Sequence, residues 1–312
     1  MTLEAARPEK KVTVRITNPD KLLFPADGIS KGDVVDYYRH AAPRLLPHII
    51  DRPLTLERYP AGIEKAGFMQ KNAAGSFPSY IGRVELPKQD GTVRYPTVSD
   101  VDGLVYLANQ NTITFHIASF RADNIGLPDR LVFDLDPVEG DAAGGRLGAR
   151  RVAALLTELD ITSMPMTTGS KGYHVVVPLL PTVGFEAIAR FSQAVAYVVA
   201  LRPPERLTVE FLKRERRGRV FIDWLRNHFG ATSVAPYSLR PKPGAPIAMP
   251  ITWDEFENAD PADFRLPHAV SRLEFDPWAD VPVVDLAPAV AALDRQLEDG
   301  GFELPAFDRF GR

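Results

Sequence analysis

The 312-residue chain contains no cysteine. That excludes a disulfide framework and any thiolate metal site, leaving carboxylate oxygens and imidazoles as candidate metal ligands. It also lacks any apolar run near the roughly 18 residues that a membrane-spanning helix needs, and its N-terminus lacks the apolar core of a signal peptide. These absences fit a cytoplasmic protein with no membrane partner. Positive charge is not in excess either, since 37 Lys and Arg face 40 Asp and Glu, a net of −3. A nucleic-acid binder of this composition has to rely on local basic patches, not on its overall field.

A hydrophobic fraction of 45% is ordinary for a globular chain. The length suits one large α/β (α+β) unit with two lobes, or two domains. We expect flexible tails at 1–12 and 301–312 and a single body over 13–300.

The stretch most informative about chemistry is Leu131-Val132-Phe133-Asp134-Leu135-Asp136-Pro137. Its apolar run reads as a buried strand that Pro137 ends. Asp134 and Asp136, two apart, share a face of that strand. Two carboxylates side by side repel unless a cation lies between them, and hard oxygen ligands suit Mg²⁺ or Mn²⁺. The plain alternative is a buried strand whose acids cap a turn. Val220-Phe221-Ile222-Asp223-Trp224 is a second strand bearing an acid. Three aspartates at strand ends can hold two divalent ions for phosphoryl transfer, although Asp223 could instead be a surface carboxylate paired with Arg219 or Arg226.

Around these strands, Ser30 and Asp33 form a capping-box-like pair opening a helix, which Pro43 is expected to kink or split. Free N–H groups at the start of that helix would make it a place for a phosphate. Strands are expected at 53–59, 68–72, 92–98 and 113–117, and helices at 102–110, 152–159, 185–199, 253–256 and 286–297. The glycine-rich stretch 138–148 reads as a mobile loop. Thr168-Gly169-Ser170-Lys171-Gly172 reads as a hairpin tip whose N–H groups can face a phosphate. His174 follows just inside the next strand, and could be either structural or a phosphate contact. The run Lys213–Arg219 leads into Asp223 and places positive charge beside the acids. Arg240 follows Pro236-Tyr237-Ser238-Leu239 in a proline-rich, extended segment.

These motifs in this order resemble the polymerase domain of bacterial ligase D, of the archaeo-eukaryotic primase superfamily. The resemblance runs from about Asn18-Pro19-Asp20-Lys21 to Trp253 or beyond. The length leaves no room for a ligase or phosphoesterase module, so the chain looks like a stand-alone member, similar to the primase-polymerases called Prim-PolC. The resemblance implies a two-lobed core with mixed and antiparallel sheets and flanking helices. It implies a template-dependent, ribonucleotide-preferring polymerase that fills short gaps in DNA, with two Mn²⁺ or Mg²⁺ ions per site. Its partners would be gapped or primer-template DNA, NTPs or dNTPs, and a separate DNA ligase, in the cytoplasm at the nucleoid. By resemblance Asp134, Asp136 and Asp223 are the catalytic metal ligands. Thr168, Ser170, Lys171, His174, Arg216 and Arg240 would hold the incoming nucleotide, with His116 near its sugar. Asn18, Lys21 and Lys31 would form a pocket for the 5′-phosphate across the gap, and Phe68 and Met69 would meet the template.

Three residues depart from the family pattern. Glu57 stands where the family has a lysine before Arg-aromatic-Pro, so a triphosphate contact is lost there. Met69 replaces the second of two stacking phenylalanines, and Thr168 replaces a serine. A metal-dependent phosphodiesterase and a non-catalytic DNA-end-bridging module are the alternative readings; nucleotide incorporation on primer-template DNA separates them from a polymerase.

Overall fold

The apolar run ahead of Asp134 forms a strand, and that strand is the centre of the principal sheet. The computed structural model describes residues 14–88, 91–300 and 303–305. The expected N-terminal tail lies outside the described residues, as does the C-terminal one apart from 303–305.

In chain order the strands are β1 (Leu22–Phe24), β2 (Ile29–Ser30), β3 (Leu54–Arg58), β4 (Phe68–Gln70), β5 (Gly82–Lys88), β6 (Gly91–Thr97), β7 (Thr112–Ile117), β8 (Arg130–Asp136), β9 (Met164–Thr167), β10 (Tyr173–Pro178), β11 (Leu207–Thr208), β12 (Val220–Asp223) and β13 (Ser233–Val234). The helices are α1 (Lys31–Ile49), α2 (Val101–Asn109), α3 (Ala142–Glu158), α4 (Phe185–Ala200), α5 (Trp253–Phe256), α6 (Leu266–Ala269) and α7 (Ala287–Gly300).

Five strands, ordered β11-β12-β8-β10-β9, make the principal sheet, with only the β11–β12 pair parallel. A second sheet runs β13-β7-β3-β4, and β5–β6 form a separate ribbon. This is the α+β arrangement of mixed and antiparallel sheets that the motif order implies.

Strand β8 explains how the sheet is dressed. Side chains alternate across a pleated strand. Leu131, Phe133 and Leu135 enter the main core with Val152 and Leu156 of α3 and Ile188, Phe191 and Val195 of α4. Val132 faces the other way and packs with Met164, Met166, Val176 and Trp278. Asp134 and Asp136 share the face of Val132, away from the two helices.

Two local expectations change. Helix α1 has the full Ser30–Asp33 capping box, but it runs unbroken through Pro43 and Pro47. Each proline removes one backbone donor, while Tyr38, Ala41, Ala42, Leu45 and Ile49 are buried on both sides of the gap and hold the helix together. The 138–148 stretch is not a mobile loop throughout, because α3 starts at Ala142 with Asp141 as its N-cap, bonded to Gly144 N at 2.9 Å. Its glycines serve close packing: a Cβ at Gly145 would lie 3.1 Å from the Tyr173 ring, and one at Gly148 3.0 Å from Leu135. Strand β5, not among the expected strands, pairs with β6 along its whole length and puts Val84 and Leu86 in a small core with Tyr95 and Phe120.

Candidate active site

Register places the acids together. Asp223 on β12 stands opposite Asp134 on β8, and Asp134 stands opposite His174 on β10. Directly opposed residues of adjacent antiparallel strands put their side chains on the same face. The row Asp223–Asp134–His174 therefore crosses three strands, with Asp136 two residues further along β8.

Each acid is met by a cation. Arg226 lies between two of them: its Nη2 is 3.1 Å from Asp134 Oδ2 and its Nε 3.1 Å from Asp223 Oδ2. Lys171 Nζ lies 2.6 Å from Asp136 Oδ1, and Arg216 Nη1 lies 2.8 Å from Asp136 Oδ2. His174 Nε2 is 3.5 Å from Asp134 Oδ1. The two opposed acids respond differently to this setting. Burial works against the charge of Asp134, but His174 and Arg226 outweigh it and hold the carboxyl well below its ordinary range. Burial pushes Asp223 up to about 6; Arg226 opposes this, while the charges of Asp134 and Asp136 add to it.

The hairpin between β9 and β10 supplies one wall. Thr168 Oγ1 donates to Gly172 O at 2.9 Å, which closes the turn. A Cβ at Gly172 would sit 2.1 Å from Leu135 O, so this position takes only glycine. Lys171 Nζ also donates to Pro137 O at 2.9 Å, which fixes the ammonium beside the end of β8. Arg240 Nη1 donates to Thr168 O at 3.1 Å. Its Nε is buried without a hydrogen-bond partner among the described residues. Arg216 lies over the Phe221 ring at 4.1 Å, which holds the guanidinium flat against β12.

The second sheet closes the cleft from the other side with His116 on β7 and Glu57 on β3. His116 Nε2 is 3.6 Å from Glu57 Oε2, and Tyr59 donates to Glu57 Oε1 at 3.0 Å. Burial lowers the affinity of His116 for a proton. Burial opposes the charge of Glu57, yet His116, Tyr59 and Arg240 together bring it down to about 2. Glu57 is thus held as a carboxylate by neighbours of its own. The enclosed cleft measures about 230 Å³ and is lined by His116, Asp134, Asp136, Thr168, Ser170, Lys171, Gly172, His174, Arg226 and Arg240, with Thr232 and Val234.

Among the described residues, no three His, Asp or Glu side chains close on one point as a formed metal cage. The reason is visible in the pairing: the carboxylates are turned onto Arg226, Lys171 and Arg216. The donor set still fits a hard divalent cation. Asp134 and Asp223 already converge on one shared positive charge, that of Arg226, and the chain has no thiolate to compete for the ion.

The other expected residues lie apart from this cleft. Lys21 and Lys31 meet where the chain crosses itself, with Lys31 N bonded to Lys21 O at 2.7 Å. The start of α1 offers no free N–H groups there, contrary to expectation. Gly32 N is bonded to Pro19 O and Asp33 N to Ser30 Oγ. Lys31 is buried, its Nζ 2.9 Å from Thr17 Oγ1, and burial with the nearby Lys21 and Arg58 charges lowers its pKa. Lys21 Nζ bonds to Pro60 O. Asn18 is exposed in a left-handed backbone conformation. Phe68 and Met69 stand exposed, 47% and 49%, on edge strand β4, with Arg58 5.4 Å from the Phe68 ring.

Residues 30–278 match the family model described as LigD, primase-polymerase domain. The chain belongs to this family. It is 36% identical over 286 residues to the multifunctional non-homologous end joining protein LigD of Mycolicibacterium smegmatis, covering 89% of this chain and 38% of that protein. It is 29% identical over 264 residues to the bifunctional LigD of Bacillus subtilis, covering 84% of this chain and 42% of that protein. The chain thus spans well under half of these curated relatives. The polymerase domain from Mycobacterium tuberculosis ligase D in complex with DNA superposes with a TM-score of 0.80 at 34% identity, covering 90% of this chain and 98% of that one. As a member of the LigD primase-polymerase family, the chain is a nucleotide-polymerising nucleotidyltransferase.

Sequence reading named Arg226 only as a partner that would place Asp223 on the surface. The pair exists, but Asp223 is 8% exposed, and the same arginine holds Asp134. Its position three residues after Asp223, following a strand end, was the available signal.

Proposed function

We propose that this chain extends a 3′-OH opposite a template strand to fill short gaps in DNA, with ribonucleotides preferred. The observation that carries this is the row Asp223–Asp134–His174, flanked by Asp136 and faced by Lys171, Arg216, Arg226 and Arg240. Carboxylates able to hold cations stand beside cations able to hold a triphosphate, which is what phosphoryl transfer demands of a protein.

In this reading Asp134, Asp136 and Asp223 would hold the divalent ions that serve the 3′-OH and the triphosphate. Mn²⁺ or Mg²⁺ bound there would favour loss of the hydroxyl proton and spread the charge of the reacting phosphates. The protein side chains do the rest. Lys171, Arg216 and Arg240 bind the triphosphate by charge-assisted hydrogen bonds, and Thr168, Ser170 and His174 bound its path. Lys171 and Arg216, which pair with Asp136 here, would turn to the phosphate oxygens of a bound triphosphate and leave Asp136 able to hold an ion. His116, neutral at pH 7 because it is buried, faces the sugar. Glu57, which replaces the family's lysine, stays paired with His116 and Tyr59 and takes no part in triphosphate binding.

Asn18, Lys21 and Lys31 receive the 5′-phosphate across the gap through side chains alone, and Phe68 with Met69 contacts the template. The DNA-bound domain that this chain resembles supports a nucleic-acid partner of this kind. Once the gap is filled, a separate DNA ligase closes the nick.

Incorporation on a gapped duplex, with and without a 5′-phosphate and with NTPs and dNTPs in parallel, tests the reading. Asp134→Ala, Asp136→Ala and Asp223→Ala should each slow extension by about a hundredfold or more while DNA affinity stays near wild type. Full activity in Asp223→Ala would remove that residue from the site.

A further inference from the structure

The other end of β8 carries a second charged cavity. Arg130 opens the strand, four residues before Asp134 and so roughly 13 Å from it along the strand. A cavity of about 260 Å³ lies there, lined by Arg52, Arg121, Arg130, Asp129, His48 and Trp278 together with apolar side chains. A water takes up only about 30 Å³ of liquid, so the space admits a small molecule.

Its charges do not balance. Three guanidinium groups face one carboxylate. Arg52 takes both oxygens of Asp129 at 2.6 Å, and Arg121 Nε adds a third contact at 3.2 Å. Arg121 is bound further to Ile50 O and Pro47 O. Asp129 is thereby saturated by two arginines. Arg130 is left over. It is only 6% exposed, its Nε is buried without a partner, and no carboxylate lies within ion-pair distance of it among the described residues. The Trp278 ring lies 6.0 Å from its guanidinium. Burial first and then the Arg52 charge press its guanidinium down to about 9, and the charge of Asp129, already bonded to Arg52 and Arg121, offsets this only in part. His48, stacked beside Tyr237 and edge-on to Trp278, is held neutral by burial and adds no further positive charge to the cavity.

A buried, unpaired charge is strongly unfavourable unless something pairs it. We propose that this cavity is a second anion-binding site, separate from the catalytic cleft, that takes a phosphate dianion on Arg130. Two excess positive charges match the two negative charges of a phosphate monoester, where a carboxylate would leave one uncompensated. The apolar lining from Met164, Val176 and Val281 accommodates an organic group on that phosphate. Arg121, with a side chain 38% exposed, marks the mouth.

Trp278 reports on the site directly. The protein labelled with 5-fluorotryptophan gives a fluorine resonance for each of its three tryptophans, and Trp278→Phe assigns the relevant one. Inorganic phosphate should shift the Trp278 signal saturably, while chloride at matched ionic strength should not. Arg130→Met, which keeps the stem and removes the charge, should weaken that response by about tenfold or more. Arg121→Gln, at the exposed mouth, should weaken it less and guards against a folding defect in the first variant. A duplex bearing a 5′-phosphate, compared with its 5′-hydroxyl twin, distinguishes the phosphate of a nucleic-acid end from a free one. A Trp278 shift with either phosphate source, lost in Arg130→Met, supports the site and names its source. No shift with either, a shift that chloride reproduces, or one that persists in Arg130→Met overturns it.

Discussion

Arg226→Met tests the arrangement of the aspartates without recourse to activity. The substitution keeps most of the side-chain stem and deletes the charge shared by Asp134 and Asp223. A unit-charge pair at the observed 3.1 Å is worth about 5 kcal/mol at an effective dielectric near 20, before desolvation. Breaking a buried pair costs about 3–5 kcal/mol in practice. The Arg226 side chain is 38% exposed, so solvent screening reduces this to about 2 kcal/mol. In buffer with EDTA, the variant should therefore lose about 2 kcal/mol in urea unfolding followed by circular dichroism, at an unchanged m value. Mn²⁺ should then restore more stability to the variant than to the wild type. In the wild type an ion has to displace the guanidinium, whereas in the variant two uncompensated carboxylates await it. A loss below about 0.5 kcal/mol, or equal stabilisation of both proteins by Mn²⁺, would refute the idea that these carboxylates converge on one cation site.

The remaining predictions concern the flanks of the cleft. Lys31→Met should leave the urea midpoint unchanged or raised, because it removes a buried ammonium bonded to Thr17. Combined with Lys21→Ala it should erase any preference for a gap bearing a 5′-phosphate, a loss of roughly 1–3 kcal/mol in binding; a surviving preference would move the pocket elsewhere. Phe68→Ala with Met69→Ala should change stability by less than about 0.5 kcal/mol, since both are surface residues, while lowering affinity for primer-template DNA in a fluorescence anisotropy titration. His116 binds its proton less readily folded than unfolded. Its contribution to stability is therefore complete above its unfolded pKa of about 6.5 and is lost as pH falls below it, at no more than about 1.4 kcal/mol per pH unit. His116→Gln should flatten that part of the stability–pH curve; an identical slope in the variant would mean that His116 titrates normally. Glu57, held at about 2, loses its contribution only at lower pH, between its unfolded value and about 2.

Much of this architecture was readable in the residues. The β8 run, the capping box at Ser30 and Asp33, and the β9–β10 hairpin around Gly169 and Gly172 all announce themselves by local pattern and appear where expected. Other segments depart from their local pattern, because that pattern says nothing about distant neighbours. The glycines at 144, 145 and 148 signal a loop in isolation, yet they lie in α3, and the ring of Tyr173 against Gly145 and Leu135 against Gly148 leave no room for a side chain there. Pro43 signals a break, yet buried contacts on both sides carry α1 through it.

By itself the sequence determined which side chains share a strand face, since the two-residue period of β8 puts Asp134 and Asp136 together whatever surrounds them. It also determined the hard-ligand chemistry, because a chain without cysteine has only oxygen and imidazole to offer. Only the tertiary structure decided that Asp223 stands opposite Asp134, that Arg226 holds both, and that the ammonium of Lys31 is buried. The first two depend on strand register that brings Asp134 to residues about 90 positions away, the last on a crossing with Thr17, 14 residues back, and no local propensity encodes either. Arg130 shows the same limit: nothing near it in the chain reveals that Asp129 beside it is already taken by Arg52 and Arg121, which leaves its charge alone in a cavity.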